Sequence, residues 1–203
     1  MKPMTAPLQL ARIAVSEMDN NVYLLHDGTH GLLIDAADDA PAITALIDQT
    51  GVTVTDLVTT HQHWDHVRAL EAICELYHPQ HWTSAQDAPG IPVPADRMVA
   101  DGETVSWFGH DLTMFVVRGH TPGGLVVAAT IDGVDHLFVG DSLFPGGVGK
   151  TNSAADFHQL LADVIEKIFQ RYPDSTVVHP GHGADTTLGA ERGQLDQWRA
   201  RGW

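Results

Sequence analysis

The chain is 203 residues long and 43% apolar, with 11 lysines and arginines against 26 aspartates and glutamates, a formal charge of −15. Such a chain suits one soluble globular domain, or two fused half-domains, with a sizeable core, and excludes disordered and fibrous classes. Its acidic surface repels phosphate backbones and anionic bilayers even after two divalent cations are added, so a small molecule is the expected partner, with no nucleic acid and no membrane.

From the amino terminus, MKPMTAPLQLAR has a short apolar run and two early prolines, which does not make a signal peptide. No stretch approaches the ~18 apolar residues of a membrane span. Asn21–Leu25 and Gly31–Asp35 are apolar runs around the turn Asp27-Gly28-Thr29-His30, a hairpin pattern. Ile43, Leu46 and Ile47 have helical spacing, with Gly51 as terminator. Asp56–Thr60 reads as a strand, followed by a helix from near His66 to Tyr77 that Pro79 stops. That helix holds Cys74, the single cysteine, expected to be a quiet buried thiol; one cysteine forms no intrachain disulfide, which fits a cytoplasmic location.

Residues 85–97, with three prolines and a glycine, predict an irregular surface loop. Strands follow at Asp111–Val117, Leu125–Thr130 and His136–Val139, the last two joined by an Asp132-Gly133 turn. A long helix is predicted over Ser153–Tyr172, with a Ser153/Asp156 capping box, an apolar stripe from Phe157 to Phe169, and Pro173 beyond its end. Thr176–His179 is a buried strand and Thr186–Trp198 a last helix. Two αβ halves of similar order suggest an α/β fold with two sheets face to face and helices outside.

The segment Leu57-Val58-Thr59-Thr60-His61-Gln62-His63-Trp64-Asp65-His66 places three histidines and an aspartate where a strand leaves the core. With 13 histidines and 20 aspartates, H-x-H-x-D-H arises by composition in roughly one such chain in two hundred. In an extended segment His61 and His63 point the same way, and a turn at Asp65 brings that carboxylate and His66 toward a neighbouring point, which suits a pair of cations. Further candidates follow apolar runs: His120 in RGHTPGG, Asp141 in VGDS and His182 in HPGHG. Strand ends on a rigid scaffold can hold ligands to the tolerance a metal site demands. Asp35 is expected to form structural hydrogen bonds, His179 to be a satisfied core histidine, and Trp64 either to border the site or to pack over the loop. His26, His30, His78, His81, His110, His136 and His158 are expected on the solvated surface.

The ordered set THQHWDH, GHTPGG, GDSLF with GGVGK, and PGHG resembles the metallo-β-lactamase superfamily over nearly the whole chain, and within it the glyoxalase II type of thioester hydrolase. The resemblance implies an αββα sandwich of two mixed β-sheets flanked by helices, as one domain over residues 1–203. It implies two divalent metal ions, zinc first, with iron or manganese as alternatives. His61, His63 and His120 would hold one, Asp65, His66 and His182 the other, and Asp141 would bridge both. It further implies hydrolysis of the thioester of a small acyl-thiol by an ionised water shared between the metals, with Asp65 orienting that water and Lys150, in GGVGK, contacting substrate. Where glyoxalase II carries a tyrosine two positions after this lysine the chain has Asn152, and the separate C-terminal helical substrate domain is expected to be absent. Arg192, Arg199 and Arg201 in the short tail are expected on a solvated helix face. Alternatives on the same fold are a mononuclear iron persulfide dioxygenase, using His61, His120 and Asp141, and a lactone or ester hydrolase. Metal identity, thiol carrier, acyl group and oligomeric state are left open by the sequence.

Overall fold

In a computed structural model, which describes residues 6–202, two six-stranded sheets carry the chain. The amino-terminal expectation for residues 1–5, and Trp203 at the tail, lie outside the described residues. The first sheet holds β1 (Gln9–Val15), β2 (Asn20–His26), β3 (His30–Ile34), β4 (Thr53–Val58), β5 (Gln80–Ser84) and β6 (Arg97–Val99), in that spatial order. Its first three strands are antiparallel, and β3 through β6 are parallel, with α1 (Ala40–Thr50) and α2 (Leu70–Tyr77) in two of the crossovers. The second sheet is built from β7 (Glu103–Trp107), β8 (His110–Val117), β9 (Gly124–Ile131) and β10 (Val134–Gly140). After the small hairpin of β11 (Leu143–Phe144) and β12 (Gly147–Val148), α3 (Ala154–Val164) leads to β13 (Val177–Pro180) and β14 (Thr186–Thr187). Its order is β14-β13-β10-β9-β8-β7, with β13 parallel to β10 and the other pairs antiparallel. Two short helices, α4 (Leu188–Arg192) and α5 (Leu195–Arg201), close the described chain.

Three apolar layers follow from strand alternation. Leu25, Leu32, Val58, Val116, Leu125 and Phe138, drawn from both sheets, meet in the central layer. Their sequence neighbours face outward: Leu24, Leu33 and Leu57 pack on Ile43, Ile47 and Ile73 of α1 and α2. On the other side Phe115, Val126 and Leu137 pack on Phe157, Leu160, Leu161 and Trp198 of α3 and α5. A sheet covered on both faces needs apolar residues at consecutive positions, which is why these strands are continuous apolar runs. The two mixed sheets with helices outside are the sandwich the sequence predicts.

Local chemistry sets the element ends. Asp39 Oδ1 accepts the backbone N–H of Ala42 at the start of α1, and Gly51 ends it with φ 68°, in the left-handed region glycine favours. Ser153 Oγ accepts from Asp156 N at 3.1 Å, forming the N-cap half of the predicted capping box of α3, but the Asp156 carboxylate accepts from the Ser153 hydroxyl at 2.7 Å.

Several expectations need correction. The helix read from His66 starts at Leu70, because Trp64–His66 forms a tight 3-10 turn. The long helix leaves α geometry at Val164 and continues as a π turn over Ile165–Phe169. The last predicted helix is a two-residue strand and two helices broken at Gly193. Strands β1, β5, β6 and β7 are found beyond those predicted, and β7 alternates, with Val105 and Trp107 buried and Thr104 and Ser106 exposed. His81 and His26 are buried, not solvated: His81 sits on interior strand β5, with Nε2 2.8 Å from Thr59 Oγ1. His179 is buried, and its Nε2 meets His136 Nδ1 at 2.8 Å. Cys74 lies half-buried on α2 against the outer apolar layer, and burial pushes its thiol pKa up.

Candidate metal centre

Four strand ends, from both sheets, deliver the candidate ligands to one place. Beyond β4 the chain stays extended through His63, so His61 and His63 share a side, and the 3-10 turn then swings Asp65 and His66 inward. His120 follows β8 across Gly119, whose φ is 130° and whose Cα lies so close to α3 that a Cβ would meet Asp156 O at 2.4 Å. Asp141 follows β10, and His182 follows β13, where it forms a β-bridge with Asn20.

The ligand atoms of His61, His63 and His120 lie within 4.8 Å of one another, and those of Asp65, His66 and His182 do likewise. Asp141 stands between the groups: its Oδ2 is 3.5 Å from His120 Nε2 and 3.4 Å from His182 Nε2, and its Oδ1 is 3.4 Å from His66 Nε2. The structure thus brings together all seven candidates. A further triad of Asp35, His61 and His66 satisfies the same spacing, but both Asp35 oxygens are occupied. Oδ1 accepts from the backbone N of Thr60 at 2.7 Å, and Oδ2 accepts from the Thr60 hydroxyl at 2.8 Å and from His66 Nδ1 at 2.9 Å.

Hydrogen bonds on the far side of each ring determine which nitrogen faces inward. His66 Nδ1 donates to Asp35, His120 Nδ1 to the Lys150 carbonyl at 2.6 Å, and His182 Nδ1 to the Met18 carbonyl at 2.8 Å. His61 Nδ1 lies 3.0 Å from Thr60 Oγ1, whose own proton goes to Asp35, so the ring is the donor. In all four, the outer Nδ1 carries the donated proton, so Nε2 is the nitrogen that faces inward and the one a metal would take. The Nε2 atoms of His61 and His120, together with Asp141 Oδ1, are buried with no hydrogen-bond partner among the described residues. Buried acceptors without donors are rare and call for an ion. Three imidazoles on one side, and two imidazoles with a carboxylate on the other, form a donor set that zinc and iron accept.

The electrostatics agree. Burial pushes His61 well below the ordinary imidazole range and also lowers His120, so both are neutral at pH 7. Burial would raise Asp141 and Asp65. For Asp141 it is outweighed by contacts from His182 and His66, and for Asp65 by Asn20 and His66, so both carboxyls lie below the usual range. Burial would lower His66 too, but Asp141 and Asp35 outweigh it and raise the group to about 10, so this pocket attracts positive charge.

Supporting residues come from far along the chain. Asn20, fully buried, donates from Nδ2 to Asp65 Oδ2 at 3.0 Å, while its Oδ1 accepts from Ser16 Oγ. Asp87 ties two ligand loops together, accepting from Gln62 N at 3.0 Å and Gly123 N at 2.7 Å. Neither was read from the sequence; the only signal was two polar asparagines at the head of an apolar strand. Trp64 is 60% exposed and carries the Arg68 guanidinium 3.5 Å above its ring, so it flanks the loop without packing over it. A groove of about 390 Å³ opens beside His120, between Arg118–Pro122 and the start of α3. Lys150 is exposed and lines a separate cavity with Val148, Thr151 and Phe157.

The sequence profile described as "Metallo-beta-lactamase superfamily" matches residues 15–182. A "Hydroxyacylglutathione hydrolase" from Jannaschia sp. (strain CCS1) is 35% identical over 168 residues, which is 81% of this chain and 62% of that relative. The chain therefore spans less than two thirds of that relative's length. A "Probable metallo-hydrolase YqgX" from Bacillus subtilis (strain 168) is 29% identical over 201 residues, covering 90% of this chain and 94% of that one. Among solved structures, the BLEG-1 B3 metallo-beta-lactamase superposes with a TM-score of 0.81 at 24% identity, covering 91% of this chain and 97% of that one.

Proposed function

The chain belongs to the metallo-beta-lactamase superfamily, and from that premise we propose that it is a hydrolase that binds two divalent cations, zinc first, and cleaves the thioester of a small acyl-thiol. The observation that carries this reading is the pair of ligand triads sharing Asp141, with the buried Nε2 atoms of His61 and His120 and Asp141 Oδ1 lacking any hydrogen-bond partner among the described residues. Its relative named hydroxyacylglutathione hydrolase supports the thioester.

When bound, a pair of such cations lowers the pKa of a shared water toward ~7 and polarises a carbonyl oxygen. The protein's own groups do the rest. Asp35, Thr60, Lys150 O and Met18 O fix four imidazoles by their outer nitrogens, so the site is organised before substrate arrives. Asn20 holds Asp65 Oδ2, which lies 3.2 Å from His182 Nε2, and this supports Asp65 as the group that would orient an attacking water. The groove beside His120 offers room for the acyl-thiol, and a thiolate leaves with little need of a proton.

The test is metal analysis of the purified chain together with assays on thioesters, lactones and persulfides. The expected outcome is two ions per chain and thioester cleavage without oxygen uptake. One iron per chain with oxygen consumption on persulfides would replace the hydrolase with a dioxygenase.

A further inference from the structure

Four of the five imidazoles in the centre are fixed by a hydrogen bond at the ring, to Thr60, Asp35, the Lys150 carbonyl and the Met18 carbonyl. The fifth, His63, makes no ring hydrogen bond with any described residue, and its ring lies edge to face with those of His61 and His120, centroids 4.9 and 4.5 Å away. A ligand without an anchor at the ring has to be held in place through its backbone.

One loop does the holding. Residues 84–90, between β5 and β6, lie against both segments that carry the three-histidine cluster, residues 61–63 and 120–123. Asp87, fully buried, stands at the centre of that loop: its Oδ2 accepts from Gln62 N at 3.0 Å and its Oδ1 from Gly123 N at 2.7 Å. Ser84 Oγ completes the clamp, accepting from Asp87 N at 3.2 Å and donating to the Gly123 carbonyl at 2.6 Å. The fit is close on both sides. A Cβ on Gly90 would meet Gln62 Oε1 at 2.1 Å, and one on Gly123 would meet Gln86 Cβ at 2.5 Å. Burying a carboxylate is costly, and charge-assisted bonds from two backbone N–H groups offset that cost here.

We propose that Asp87 is the positioning residue for His63: by holding the Gln62 N–H it fixes how that imidazole meets the cation of the three-histidine cluster, and so sets the affinity for that cation alone. The selectivity follows from the anchors. With the clamp released, His61 and His120 keep their ring bonds to Thr60 and the Lys150 carbonyl, whereas His63 keeps none. The other cluster has its own supports in Asn20, Asp35 and the Met18 carbonyl. The inference rests on the metal-binding part of the hydrolase reading and not on the thioester.

The experiment is titration of the chain with chelator-buffered zinc, followed by nitrogen NMR of the assigned histidine rings, which reads each ligand separately. In the parent, His61, His63 and His120 should respond together. In Asp87→Ala, His63 should need about tenfold more zinc to show coordination, while His66 and His182 should change by less than about threefold. A His63 response that the substitution leaves unchanged overturns the proposal. So does a loss shared equally by all five rings, which is what a merely structural carboxylate would give. Should Asp87→Ala fail to fold, Ser84→Ala, which frees Asp87 N and the Gly123 carbonyl, is read in the same way: weakened coordination confined to His63 supports the clamp, and none overturns it. Zinc at the three-histidine cluster alone in the parent would end the two-cation reading and leave the clamp standing. A His63 that never coordinates zinc would end the clamp.

Discussion

The Nε2 atoms of His66 and His182 face each other at 3.1 Å, while the Nδ1 of each ring is committed to an acceptor, Asp35 for one and the Met18 carbonyl for the other. Two lone pairs at that distance repel unless a positive charge lies between them. Either a proton or a metal ion must fill the gap, and Asp65 and Asp141 add negative charge to the same point.

Metal removal should therefore destabilise the whole domain, because the ligands come from strand ends of both sheets. At a metal concentration of 100 times Kd, each bound ion adds about 2.7 kcal/mol, or a rise in Tm of roughly 5–10 °C per ion for a chain of this size. Calorimetry of the chelator-treated chain, before and after zinc is restored, measures this. An unchanged Tm would contradict a centre that joins the sheets.

Asp35 is predicted to govern the second cluster from behind one of its ligands, His66. Its carboxylate holds His66 Nδ1 and both polar groups of Thr60, at a residue whose φ of 59° suits aspartate or asparagine better than alanine. Asp35→Ala strands buried donors and strains the backbone, and should cost about 3–5 kcal/mol in urea denaturation. Asp35→Asn should fold more nearly normally but bind the His66-side metal about 10–100-fold more weakly, read by competition with a chromophoric chelator.

Gly181 lies so close to the centre that a Cβ there would fall 2.2 Å from Asp141 Oδ1 and 2.7 Å from His66 Cε1. Gly181→Ala must push the shared carboxylate aside. Elemental analysis should find at least one metal ion per chain lost, as it should for Asp141→Ala. Full occupancy in both variants would remove Asp141 from the ligand set.

Stability should fall in acid partly through Asp163, remote from the centre. Burial alone would raise its carboxyl pKa. Hydrogen bonds from the Arg118 side chain, at 2.9 and 3.0 Å, and from its backbone N, at 3.0 Å, outweigh that and lower it. A depressed folded-state pKa gives stability that is present above the unfolded value of about 3.9 and is lost as pH falls through the folded one. Asp163→Asn should cost about 1–2 kcal/mol at pH 7, discounted because Arg118 is half exposed. The gap between variant and parent in urea unfolding should narrow as pH falls below the unfolded value of about 3.9 and through the lowered folded one. A gap that persists there points to packing instead.

The two-layer architecture and the candidate ligands were legible locally, because apolar runs mark doubly covered strands and because H-x-H-x-D-H is a short-range pattern that composition seldom produces. Helix ends at Gly51 and Ser153 were equally plain, since caps act over three or four residues. The losses were of another kind. Strand β5 is buried at four of its five positions and does not alternate, so its state was set by the neighbours it pairs with, and His81 is buried there between Thr59 and the Pro94–Asp96 segment.

What the sequence by itself determined is which side chains have the chemistry for a metal centre and on which strand ends they stand. Tertiary structure alone decided what surrounds them: Asn20 against Asp65, 45 residues apart, Met18 against His182, and Asp87 against the Gln62 N–H. The reason is physical. Chemical type and period are local properties of the chain, whereas the tautomer of a ring and the partner of a buried carboxylate depend on contacts that exist only after the sheets have packed.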